Sequence, residues 1–140
     1  MEQQFRNHET IATTVPMRIV LEAQAVPLPC TLSYTVFDPF AVTATFASSD
    51  GEVSWTFSRE LLAAGLQHQV GLGDVVVRPL VGALVEIVLS SPHGAAVVHA
   101  DLADLAGFVS ATYELLPEGS EWQYLNFDAE LAALLDDGAA

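Results

Sequence analysis

Apolar residues along this chain return mostly at every second position, the spacing of half-buried strands. Val15, Met17, Ile19 and Leu21 alternate with Pro16, Arg18 and Glu22, which predicts a strand with one wet face and Pro16 at its start. Pro27 and Pro29 punctuate the turn into a second strand around Cys30 to Val36. Phe40, Val42, Ala44 and Phe46 then face Val53, Trp55 and Phe57 across Asp50-Gly51, a strong hairpin signal. Ser58 caps a short helix that Gly65 stops, and Gly71-Leu72-Gly73-Asp74 is a loop. Val75 to Arg78 and Leu84 to Ser90 form another hairpin, and Ala95 to His99 a last strand. Asp101 then caps a helix whose stripe is Leu102, Leu105, Phe108, Val109 and Tyr113. Pro117 and Gly119 break it. Asp128 opens a final short helix on Leu131, Leu134 and Leu135, with Asp136 and Asp137 opposing its dipole so that its end frays.

Residues 1–14 show no period and read as a flexible leader, with 15–140 as one domain. The element order predicts an α+β fold: a strongly twisted antiparallel sheet of about seven strands, a short helix between strands, and helices at the C-terminal end.

Folding the Val75–Ser90 hairpin through its turn sorts its side chains onto two faces. Val75, Val77, Val85, Ile87 and Leu89 form the core face. The opposite face carries Val76, Arg78, Leu84, Glu86 and Val88, with Arg78 and Glu86 as diagonal neighbours able to interact. So mixed a face needs cover from a helix or another subunit, which makes those five residues the candidate oligomer or partner interface.

Charge narrows the partners. Eighteen carboxylates face four arginines and no lysine, a formal charge of −14 over 140 residues. Nucleic acid and anionic lipid are both held by cations that this chain lacks. A lone cysteine, Cys30, excludes an internal disulfide, and the polar N-terminal residues resemble no signal peptide, so a cytoplasmic home is expected.

Candidate chemistry is sparse. His8, His68, His93 and His99 do not fall at metal-ligand spacings, so no metal or other cofactor is expected. Cys30 lies in a strand pattern without a nucleophile signature. Gly71-x-Gly73 precedes a valine strand where a phosphate loop needs a helix, and Asp74 would repel phosphate. Trp55 alternates with Val53 and Phe57 and reads as core, whereas Trp122, between Glu121 and Gln123, reads as surface. No catalytic residue stands out.

As a series the motifs are more specific. Leu32-x-Tyr34, Asp38-Pro39-Phe40-Ala41-Val42-x-Ala44-x-Phe46 and Val53-x-Trp55-x-Phe57-x-Arg59-Glu60-Leu61-Leu62-x-x-Gly65 resemble the SsgA-like proteins of actinomycete bacteria. The resemblance continues through Gly71-x-Gly73-Asp74-Val75-x-Val77-x-Pro79, Leu89-Ser90-Ser91-Pro92-x-Gly94-x-Ala96, Phe108-Val109, Thr112 and Pro117-x-Gly119-x-Glu121. It closes on Asp128-x-x-Leu131-x-x-Leu134-Leu135, so that it spans about Val15 to Leu135. These are regulators of sporulation and cell division, and the compact length looks most like the member tied to initiating sporulation septa. The resemblance implies a whirly-like fold, a homotrimer and a non-enzymatic role at the septum. It further implies contacts with other SsgA-like proteins and with the tubulin-like division protein FtsZ. The same fold analogy raises single-stranded nucleic-acid binding, which the charge disfavours; a small carboxylate-based enzyme is the other alternative.

Overall fold

The computed structural model describes residues 4–124. The final helix expected after Asp128 lies outside the described residues. Ten strands and two helices follow in the order β1 (Gln4–Arg6), β2 (Thr10–Val15), β3 (Met17–Leu21), β4 (Gln24–Pro27), β5 (Cys30–Thr35), β6 (Ala41–Ser48), β7 (Gly51–Ser58), α1 (Arg59–Gly65), β8 (Val75–Leu80), β9 (Leu84–Ser91), β10 (Gly94–Asp101) and α2 (Leu102–Leu115). The α+β antiparallel class expected from the pattern is the one observed. The strands are ten, however, and divide into two five-stranded sheets, ordered β1-β2-β5-β6-β7 and β4-β3-β10-β9-β8.

Two prolines explain the division. Pro16 has no amide to donate, so the ladder breaks there and the strand expected from Val15 onward changes sheet between β2 and β3. Its partner changes sheet between β4 and β5, around Pro29. The two segments run as one long bent hairpin: Val15 pairs with Cys30 in the first sheet and Arg18 with Pro27 in the second. Val15, Met17 and Cys30 are all buried at the bend. At its tip Glu22 and Ala23 hold φ of 49° and 68°, left-handed values without a glycine.

The expected leader at residues 1–14 is corrected over its described part. Thr10–Val15 buries Ile11, Thr13 and Val15 against β5, and Gln4–Arg6 pairs beyond it as a short edge. Threonines at positions 10, 13 and 14 concealed the alternation, because they count as polar although they suit a pleated sheet.

The inner faces share one core: Leu32, Val42 and Phe57 from the first sheet meet Val77, Val85, Ile87 and Val98 from the second, and Leu62, Leu105 and Phe108 close it from the helices. Phe57 is buried as expected, whereas Trp55 is only half-buried and Val53 is 49% exposed. The face they share runs out from the core to an open edge. Ser58 caps α1 by accepting the amide of Leu61 at 3.0 Å. Gly65, the last residue of that helix, is needed there for close packing rather than for a left-handed turn, since a Cβ would collide with the Val77 side chain.

Candidate functional site

The five residues singled out on the β8–β9 hairpin do share one face. Register sets Arg78 directly opposite Glu86, and His99 of β10 opposite Glu86 on its other side. The Arg78–Glu86 pair is therefore a direct cross-strand pair, closer than the diagonal one expected. Arg78 Nε donates to Glu86 Oε1 at 2.8 Å, and His99 Nε2 lies 3.0 Å from Glu86 Oε2. Burial alone pushes the Glu86 carboxyl up, but the hydrogen bonds and charges of Arg78 and His99 outweigh it and hold it below the usual range. Beside this polar row, Val76, Val88 and Val97 are in register with one another. All three are half-buried, as is Leu84, while Arg78 is exposed. Among the described residues this face is half-buried to exposed: an apolar row against a fixed ionic row, a pattern that suits a protein contact.

A second cluster escaped the sequence. Arg59, at the first position of α1, is 1% exposed. Its guanidinium donates to Thr112 O at 3.0 Å, Leu116 O at 2.8 Å and Glu121 Oε2 at 2.7 Å. Tyr113 and Tyr34 stack against it at 4.0 and 4.8 Å. The side chain thus caps the carboxyl end of α2 and fixes the segment after it. Glu121 Oε1 also accepts the Gly119 amide at 2.7 Å. Burial works to raise the Glu121 carboxyl, and these partners bring it below the ordinary value. A signal was there to be read: a cation in the first turn of a helix opposes the dipole and needs another reason to be kept.

Among the described residues, the remaining clefts gather few titratable groups. Two small clefts of about 150 and 130 Å³ hold one carboxylate each, Asp38 and Asp104. Among the described residues no three His, Cys, Asp or Glu side chains come together as a metal site. Cys30 is fully buried, which pushes its thiol up to about 12 and removes it as a nucleophile. Trp122 is exposed and packs edge-on to Phe40 with ring centres 5.4 Å apart. No helix of the described residues is long and apolar enough to cross a membrane.

Every arginine is spoken for. Arg6 pairs with Glu114, Arg18 with Asp101, Arg59 with Glu121 and Arg78 with Glu86. With no lysine in the sequence, the chain has no side-chain cation left over for phosphate.

Comparison with known proteins adds a pattern match and several relatives. Residues 28–121 match the family described as "Streptomyces sporulation and cell division protein, SsgA". A protein of Thermobifida fusca named sporulation-specific cell division protein SsgB is 42% identical over 128 residues, 88% of this chain and 93% of that one. The SsgB of Streptomyces coelicolor is 37% identical over 131 residues, 90% of this chain and 96% of its own. A crystal structure of an SsgA-like sporulation-specific cell division protein from T. fusca superposes with a TM-score of 0.82 at 38% identity, covering 92% of this chain and 98% of that one. A structure reported with SsgB mutations that correlate with longitudinal cell division during sporulation of S. coelicolor superposes at 0.78, with 35% identity over 86% and 99% of the two chains.

Proposed function

Since the chain belongs to the SsgA family and is most like SsgB, we propose that it is a non-enzymatic regulator of sporulation-specific cell division. It marks septum sites and recruits or tethers FtsZ through protein–protein contacts. The observation that carries this reading is the similarity, over nearly the whole chain, to proteins named for sporulation-specific division.

The physical chemistry agrees with a protein that works by contact. Its four arginines are tied up in ion pairs, two of its clefts are small and hold one carboxylate each, and the β8–β9 face is half apolar. Val76, Arg78, Leu84, Glu86 and Val88 are the interface in this proposal, used for homotrimer assembly or for a division partner. The protein works in the cytoplasm and is drawn to the septum, with other SsgA-like proteins among its contacts. The deciding experiment is localisation of a fluorescent fusion in sporulating hyphae together with pull-down of FtsZ. Co-localisation with septal rings and recovery of FtsZ are expected; diffuse fluorescence and no recovery would sink the proposal.

A further inference from the structure

Four strands form the outer edges of the two sheets, and three of them are blunted. β1 has three residues, and β4 has four and ends at Pro27. β8 contains Pro79 and is partly covered by Val70, which exchanges two backbone hydrogen bonds of 2.9 Å with Val77. β7 is different. It runs eight residues, Gly51–Ser58, without a proline, and pairs only with β6 among the described residues. Six of its residues are exposed. Proteins guard long open edges because the unpaired backbone is a template for another strand.

The free groups can be assigned. Arg59 donates its amide to Phe40 O at 2.8 Å, which fixes the alternation back along the ladder. Phe57, Trp55 and Val53 turn their backbone groups to β6; Thr56, Ser54 and Glu52 turn theirs outward. The side chains on the inner side of the same edge line an apolar groove of about 270 Å³ between the sheets. Val53, Trp55 and Phe46 form one wall, Ile19, Leu89 and Val98 the other. An edge and an apolar groove that no other described residue occupies supply both halves of strand addition: backbone bonds for affinity and a slot for alternate side chains.

Charge selects the occupant. Asp50 and Glu52 stand at the start of β7, and the chain carries a net −14 with all four arginines already in ion pairs. A second copy would bring the same surplus of negative charge and no spare cation. We infer that β7 is a docking edge for an extended segment of a partner protein in which apolar residues, seated beside Val53 and Trp55, alternate with arginine or lysine. This surface is separate from the β8–β9 face, so either can fail without the other.

The test uses the full chain and a ten-residue synthetic peptide that alternates valine with arginine. Amide resonances are followed by NMR and Trp55 by fluorescence. Saturable binding is expected, with the Glu52, Ser54 and Thr56 amides perturbed and protected from exchange, and with affinity falling as salt rises. Ser54→Pro removes only an outward amide, a change that edge strands accept, and weakens binding at least tenfold. Val53→Lys, at an exposed position, does the same through charge and guards against misfolding of the proline variant. Absence of saturable binding overturns the proposal. So does undiminished binding to both variants, or equal binding of a peptide with its valines gathered in one block. Protection of the three amides without peptide, together with a lower mass for Ser54→Pro, would assign the edge to a second copy and overturn it too.

Discussion

Replacing Arg59 with methionine keeps most of its volume and deletes three hydrogen bonds at once. The consequences are unequal. Thr112 O retains the Leu116 amide at 3.0 Å, so it is not orphaned. Leu116 O loses its guanidinium partner, and Glu121, 6% exposed, becomes a buried carboxylate without a counter-charge. Breaking such a pair from one side costs about 3–5 kcal/mol. That amount would lower the urea midpoint by on the order of 2 M. Adding Glu121→Gln to Arg59→Met removes the stranded charge and recovers part of the loss, so the two changes are non-additive. A pH series checks the same ion pair. The Glu121 carboxyl sits lower in the folded than in the unfolded chain, so its contribution is complete above the unfolded carboxylate value of 4.5. It is lost as pH falls through the lower folded value, and Arg59→Met should lack this component of the acid transition. A loss below about 1 kcal/mol for Arg59→Met, or strict additivity in the double variant, would refute this account of the cluster.

Other substitutions probe independent features. Gly65→Ala, which favours most helices, should here cost about 1–3 kcal/mol because the methyl must displace Val77; thermal melting reads it, and an unchanged midpoint would contradict the close approach. Ala23→Gly relieves a left-handed residue at the bent hairpin's tip and should stabilise by about 1 kcal/mol in urea titration. Cys30 should resist a thiol reagent at pH 8 in the native protein and react at once in denaturant, as its burial requires. Val76→Glu or Leu84→Glu should lower the mass measured by light scattering if the β8–β9 face joins subunits; an unchanged mass would remove that face from the oligomer.

The hairpins were the legible part of the sequence. Alternation with a turn between placed β6 against β7 and sorted both faces of β8 and β9, because period and turn chemistry are local. Sheet membership was not local. Pro16 looks like the start of a strand in either case, and only the pairing of β3 with β10 shows that the chain has crossed to the other sheet. The β1–β2 segment shows no clear period because its threonines count as polar, Thr13 on the buried face among them, and its place depends on β5, about twenty residues away in sequence. Arg59 carries no role legible in the sequence, since its partners Thr112, Leu116 and Glu121 lie on a distant segment. The face around Glu86 was found, but His99 was not joined to it, because β10 had been given no register.

The bent hairpin has a mechanical consequence. Backbone runs unbroken from β2 into β3 and from β4 into β5, so two covalent strands cross from one sheet to the other. Neither sheet can peel away without pulling apart the Val15–Cys30 and Arg18–Pro27 pairings at the crossing. Tension applied at one layer is therefore carried into the other through peptide bonds, not through side-chain packing alone. Both layers should yield together, in a single step.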